Sequence, residues 1–269
     1  MDLRGASAEA LVTLTEELAG HTADAAAATQ VSADLFDLAQ TLRREGALRR
    51  LATDASVPVA AKQGLVAEVF GPRYGAGAVA VLSAAVARRW TATRDLADVL
   101  EHLSVVATVT SAGAESGRLV DELFSVGQTI RTTPELRDAL SDPARSEADK
   151  VTLLSSLLEG KALPATVTLA VRSLAGTYRT ALAALAAYEK VAAQVHGQSV
   201  ATIRAARPLS EAELDRLGGA LASQYGRPVH LNLVVDPTVL GGIRVEIGDD
   251  VIDGTVSSRL DDARRRLVG

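Results

Sequence analysis

The chain matches itself at a displacement of 88 residues. Leu35-Phe36-Asp37-Leu38-Ala39-Gln40-Thr41-Leu42-Arg43 runs against Leu123-Phe124-Ser125-Val126-Gly127-Gln128-Thr129-Ile130-Arg131. The match continues through Leu48-Arg49 with Leu136-Arg137, Asp54 with Asp142, Lys62 with Lys150 and Leu65 with Leu153, for 11 identities in 31 ungapped positions. One inserted residue then aligns Gly71 with Gly160, Thr91-Ala92 with Thr180-Ala181 and Leu96 with Leu185. Two alanine-rich helical stretches would match by composition in small apolar residues. The shared Phe, Gln, Arg and Lys point instead to a duplicated domain. Its period exceeds the roughly 20–50 residues of solenoid repeats.

Each copy reads as several helices. The chain has 49 alanines, is 48% hydrophobic and only 3% aromatic. Ala has the best intrinsic helix propensity and lets helices approach closely. Thr133-Pro134-Glu135 reads as an N-cap, a Pro at the first helical position and an acid in the first turn. Ser146-Glu147-Ala148-Asp149 precedes Val151, Leu154, Leu157 and Leu158, which share helical spacing. Leu65, Val66, Val69 and Phe70 play the same part in the first copy. The stretch from Leu96 to Thr110 reads as closing the first bundle and opening the second.

After His196-Gly197 the period changes. Ala201, Ile203 and Ala205 alternate with Val200, Thr202 and Arg204, as in a strand. Ser210 and Glu213 then form a capping box, with Leu209 able to staple onto Leu214. Leu214, Leu217, Leu221 and Tyr225 make one helical face, and Gly226 stands at the C′ position. Val229, Leu231, Leu233 and Val235 alternate again. Asp236-Pro237 breaks that strand, and Ile243, Val245 and Ile247 begin another. Val251-Ile252 resume after the turn Gly248-Asp249-Asp250, and a last helix is expected from Asp253 or Thr255 to Leu267. The expected fold is therefore mostly α: a first helical bundle over residues 1–103, a second over 104–197 and a small α/β domain over 198–269.

The chemistry is sparse. There is no cysteine, hence no disulfide, thiolate ligand or cysteine nucleophile. His21, His102, His196 and His230 lack metal-ligand spacing and read as structural residues. No P-loop, G-x-S-x-G elbow or H-E-x-x-H is present, and Gly71, Gly75 and Gly77 read as an interhelical loop. Carboxylate pairs such as Glu16-Glu17 and Asp249-Asp250 read as solvated faces and turns. A net charge of −5 argues against binding nucleic acid by neutralising phosphates. The longest uncharged stretch, Tyr74 to Ala87, has 14 residues, short of the ~20 a spanning helix needs. The N-terminus starts no apolar signal region. No catalytic residue, metal site or cofactor is expected, and an adaptor or structural subunit fits better than an enzyme.

The run from Asp236 to Leu260, with Gly241-Gly242, Ile252-Asp253-Gly254 and Arg259-Leu260, resembles the signature of the delta subunit of F-type ATP synthases. The mitochondrial counterpart is the oligomycin-sensitivity-conferring protein. The resemblance covers about Ser104 to Gly269, a helical bundle followed by an α/β domain. The extra bundle ahead of it is similar to the long, duplicated delta subunits of high-GC Gram-positive bacteria. Some of those are fused behind the stalk subunit b, but with no membrane segment ahead of the duplication a separate subunit is expected.

The resemblance implies a non-catalytic peripheral-stalk subunit that links the catalytic head to the stalk, so that rotor torque is coupled to ATP synthesis. The implied partners are the N-terminal helix of alpha subunits and the b-type stalk subunits. The implied location is the cytoplasmic face of the cell membrane, with membrane contact only through the complex. A free-standing scaffold or regulatory adaptor with a delta-like ending is the alternative. Within the motif, Gly241 and Gly242 are expected to allow positive φ or close backbone approach, Asp253 to cap the final helix and Gly254 to turn into it. These four residues either specify the domain's fold or serve a partner. Arg259, Leu260, Arg264 and Arg265, with Arg266, are expected to face a partner, although a cationic helix end also suits the macrodipole.

Overall fold

A computed structural model describes residues 3–258, 260, 264 and 265. The chain forms two compact units, Met1–Ala192 and Ala193–Gly269. The first contains α1 (Ala6–Ala19), α2 (Ala25–Arg44), α3 (Gly46–Thr53), α4 (Val59–Phe70), α5 (Ala76–Val86) and α6 (Asp95–Ala112). After a 3-10 turn it continues with α7 (Ser116–Thr132), α8 (Pro134–Ser141), α9 (Glu147–Leu158) and α10 (Pro164–Arg172). Helix α11 (Ala181–Val195) leads into the second unit.

The duplication is visible element by element. Helices α8 and α9 begin and end 88 residues after α3 and α4, and α10 begins 88 residues after α5. Helix α1 displaced by the same amount falls on α6. The shared helix α6 is thus the last helix of one copy and the first of the next. Its Leu96, Leu100 and Leu103 enter one apolar cluster, with Leu35, Leu38, Val66 and Phe70. Its Val105 and Val109 enter another, with Leu119, Leu123, Ile130, Leu154 and Tyr188. Burying each Leu fully stabilises the fold by about 1.5–3 kcal/mol relative to exposure. Ala39, Ala85, Ala97 and Ala107 lie in the first cluster, where the small side chain lets α2, α5 and α6 pack closely.

The inserted residue expected near Gly71 is not there. The carboxylate of Asp34 accepts from the backbone N–H of Gly75 at 2.9 Å, at the start of α5. Glu122, 88 residues on, accepts from the N–H of Leu163 at 2.8 Å, at the start of α10. The same cap in both copies fixes the register up to the start of the fifth helix, so Tyr74 corresponds to Ala162. Among the expected caps, Ser146 accepts from the N–H of Asp149 at 3.1 Å. Pro134 does open α8, but the Thr133 side chain makes no capping bond.

The second unit contains β1 (Ser199–Ala205), α12 (Glu211–Tyr225), β2 (Val229–Val235), β3 (Ile243–Ile247) and β4 (Asp250–Asp253). The sheet order is β2-β1-β3-β4, with β1 parallel to β2, and the β1–β3 and β3–β4 pairs antiparallel. Ala201, Ile203, Val245 and Ile247 form its core with Leu221, and Leu214, Leu217, Tyr225, Leu231 and Leu233 pack against it. The capping box is formed: Ser210 N–H donates to Glu213 at 2.8 Å, and Glu213 N–H donates to Ser210 Oγ at 3.4 Å. Hydrogen bonds from Arg207, then from Ser210, hold Glu213 down at about 2. Gly226 ends α12 in the left-handed conformation, φ 67°.

Candidate functional site

Two regions stand out: an open groove in the second bundle and the loop cluster built by the C-terminal motif. The groove, about 430 Å³, runs between α7, α8 and α9. Val126, Ile130, Leu136, Leu154, Leu157 and Leu158 supply its apolar surface, with Ser125, Thr129, Lys161 and Ala162 among its rim residues. Leu154 is buried, whereas Leu157 is 41% exposed. Helical periodicity made Leu154, Leu157 and Leu158 one apolar set. It did not say which of them the fold would leave uncovered.

Glu122 sets the edge of this groove. Its carboxylate accepts from Thr166 Oγ1 at 2.5 Å as well as from Leu163 N–H, and pairs with Arg118 Nε at 2.8 Å. Burial pushes its pKa up, but the hydrogen bonds from Thr166, Leu163 and Arg118 outweigh that and hold it below the ordinary carboxylate value. Leu163 and Ala162 therefore occupy fixed positions at one end of the groove.

The two copies are joined by polar groups carried on α2, α6 and the segment around α10. Arg172 donates through Nη1 to Ser32 Oγ at 2.7 Å and to Thr108 Oγ1 at 2.9 Å, with its guanidinium 4.9 Å from the Phe36 ring centroid. Burial lowers the Arg172 pKa to about 10, which leaves it charged at neutral pH. Arg43 Nη2 lies 2.5 Å from Glu101 and 3.1 Å from Asp98. Glu101 also accepts from Thr177 N–H at 3.0 Å and from the Tyr188 hydroxyl at 3.2 Å. Gly176, φ 97°, passes so close that a Cβ there would meet the Glu101 carboxylate at 2.5 Å. These groups form a structural junction inside the helical unit. His102 beside them is held at about 4, chiefly by burial, and is neutral at physiological pH. Among the described residues no three potential metal ligands come together.

In the second unit, the chain meets itself at the motif glycines. Gly241 and Gly242 have φ of 92° and 79°. A Cβ on Gly242 would sit 2.4 Å from the Gly254 carbonyl oxygen. Gly254 N–H donates to Ile243 O at 2.9 Å, and Val256 N–H donates to Gly241 O at 3.1 Å. Positive φ and close approach thus both operate, and they bring Gly241, Gly242, Asp253 and Gly254 together.

Asp253 acts one step earlier than a helix cap. It ends β4 and accepts from Thr255 N–H at 3.0 Å and Thr255 Oγ1 at 2.7 Å. Those hydrogen bonds hold it below the usual carboxylate range. Thr255 is the cap, accepting from Ser258 N–H at 3.3 Å. Val256 to Ser258, Leu260, Arg264 and Arg265 are helical. Leu260 is 61% exposed, and Arg264 and Arg265 are exposed. Arg259 and Arg266 lie outside the described residues. Leu240, Val251, Ile252 and Val256 are also exposed, and β4 is an edge strand. An apolar sheet edge is a ready site for pairing with another chain.

Comparisons with known proteins agree on one family. The family model described as ATP synthase delta (OSCP) subunit matches residues 103–267. The ATP synthase subunit delta of Nocardioides sp. (strain ATCC BAA-499 / JS614) is 57% identical over 268 residues, covering 99% of this chain and 98% of the relative. That of Kineococcus radiotolerans is 43% identical, covering 92% and 91%. That of Streptomyces avermitilis is 39% identical over the whole of both chains.

Proposed function

The chain belongs to the ATP synthase delta (OSCP) subunit family, and from that membership we propose how it grips its neighbours. It is a non-catalytic peripheral-stalk subunit of the F-type ATP synthase. Among the described residues no helix is long and apolar enough to cross a membrane, so its place at the cytoplasmic face of the cell membrane would come through the complex. Its task is to hold the catalytic head still against the stalk while the rotor turns. Slow dissociation and stiffness serve that task. Nanomolar binding corresponds to about −12 kcal/mol, and related interfaces differ mostly in off-rate.

On this reading the second bundle receives an amphipathic N-terminal helix of an alpha subunit, in the helix-in-groove mode. The open apolar groove between α7 and α9 carries the proposal. The α/β domain holds the b-type stalk subunits, and its exposed apolar residues Leu240, Val251, Ile252 and Leu260, with Arg264 and Arg265, favour that side. The division into modules 1–103, 104–197 and 198–269 then assigns the family's usual head contact to the second copy.

Titrating the full chain with a synthetic alpha N-terminal peptide, by calorimetry and methyl NMR, tests the head-side contact. One peptide per chain, shifting the Leu157 and Leu158 methyl signals, is expected. Binding that leaves those signals in place would move the contact elsewhere.

A further inference from the structure

The duplication kept two cations and put them to different use. In the first copy Arg49 and Lys62 are engaged inside the fold. Arg49 Nη1 donates to Leu42 O at 2.9 Å and to Arg43 O at 3.0 Å, closing the end of α2. Lys62 is buried, and its Nζ donates to Asp54 O at 3.1 Å. Their counterparts 88 residues on are Arg137 and Lys150. Arg137 is exposed, and its one ion pair among the described residues is with the adjacent Asp138, 3.7 Å from Nε. Lys150 is half-buried, and its ammonium makes no hydrogen bond or ion pair with any described residue. Both line a cavity of about 400 Å³ formed by α8, α9, the segment after α10 and the start of α11. Arg179, exposed and likewise unpaired among the described residues, lines it too. Helix α11 opens there: Thr180 and Ala181 belong to the lining, and Thr180 Oγ1 accepts from Ala183 N–H at 3.1 Å. No carboxylate stands among the described lining residues, in a chain whose net charge is −5. Ile130, Leu140, Leu174 and Leu182 supply apolar surface to the same cavity.

We propose that this cavity binds a small organic phosphate, held by Arg137, Lys150 and Arg179. A guanidinium offers two parallel N–H donors to a phosphate, and an ammonium acts as a compact point charge. The start of the 15-residue helix α11 adds partial positive charge on the same side. A half-buried ammonium without a partner is costly, and a bound anion removes that cost. Inorganic phosphate alone would leave the leucine surface in water, whereas an apolar group esterified to the phosphate covers it. The cavity has the size of an ordinary small-molecule site, roughly 300–1,000 Å³. The first copy cannot offer the same donors, because Arg49 and Lys62 already give theirs to backbone carbonyls.

The test titrates the full chain with phenyl phosphate, inorganic phosphate and phenol, followed by methyl NMR. Phenyl phosphate is expected to give saturable shifts at the Leu140, Leu174 and Leu182 methyls, and to bind more tightly than either of its parts. Added salt should weaken it, since the attraction is between charges near the surface. Arg137→Gln with Arg179→Gln changes only exposed side chains, so the fold is kept, and affinity should fall at least about tenfold. Lys150→Met should weaken binding as well, and Lys150→Arg, which keeps the charge, should retain most of it. Arg49→Gln in the first copy is the control: it should lower the urea midpoint and leave phenyl phosphate affinity unchanged. Absence of saturable shifts, shifts that persist in the double arginine variant, or phenol or inorganic phosphate binding as tightly as phenyl phosphate would each overturn the proposal.

Discussion

The two helical bundles descend from one sequence and have parted in what they do with it. Phe36, Gln40, Thr41, Arg43, Leu48, Arg49, Asp54 and Lys62 recur 88 residues later, and the helices of the two copies keep register through the start of α10. Yet Arg43 is drawn into the junction with Glu101, whereas Arg131 is exposed on α7. Tyr74 sets a ring beside Phe70 in the first bundle, where the second has only the methyl group of Ala162. Duplication preserved the residues that set helix boundaries and cores. Divergence fell on the side chains that decide whether a surface is internal or available.

The largest separation between the copies is expected at their equivalent arginines. Arg43→Met strands the nearly buried Glu101 carboxylate, and loss of one partner of a buried ion pair costs about 3–5 kcal/mol. Arg131→Met should stay within about 0.5 kcal/mol. Urea unfolding of both variants measures the contrast, and equal losses would mean that the junction is not where stability is held.

A smaller effect should appear at the grooves. Leu157 and Val69 are equivalent and similarly exposed, at 41% and 40%, so Asp at either is tolerated by the fold. Leu157→Asp should weaken binding of the alpha N-terminal peptide by at least about tenfold, ~1.4 kcal/mol, and Val69→Asp should leave it unchanged. Calorimetry with the full chain decides, and a loss confined to Val69→Asp would reverse the assignment of the copies.

The shared helix cap should bind the copies together again. Asp34→Ala and Glu122→Ala each remove the acceptor for the N–H of the residue just before a fifth helix, Gly75 or Leu163, at about 1 kcal/mol apiece. Glu122 also carries a pH signature. Its folded pKa lies below its unfolded value near 4.5. Its contribution is therefore complete above that value and is lost as pH falls through the folded one. The stability gap between the unaltered protein and Glu122→Gln should narrow across that window, and a constant gap would remove the ionised carboxylate from the account. Ser146→Ala should likewise cost about 1 kcal/mol, and the smallest effect of all is expected for Thr133→Ala, which loses no cap bond and should stay within about 0.5 kcal/mol.

Much of the architecture was legible because its signals are local. The capping box at Ser210 and Glu213, the Gly226 stop and the alternation in β1 and β2 each involve neighbours in sequence. The motif glycines were legible for the same reason, since Gly241-Gly242 ahead of an alternating run has few uses besides a positive-φ entry to a strand. The register between copies was not fully legible. A shared glycine favoured an insertion near Gly71, whereas the Asp34 and Glu122 caps, which act across 41 residues, show none. That slip pairs Tyr74 with Leu163 instead of Ala162.

By itself the sequence determined that there are two copies of a helical bundle and a small α/β domain, because periodicity, caps and repeats are properties of the chain's order. It also carried the family, through the spacing from Asp236 to Leu260. Only the tertiary structure decided that one helix serves both copies, that Thr255 rather than Asp253 caps the last helix, and that Leu157 is left uncovered while Leu154 is buried. Those outcomes depend on which side chains meet across long stretches of chain, and hydrophobicity says that a leucine will be near apolar neighbours without saying whether they will cover it.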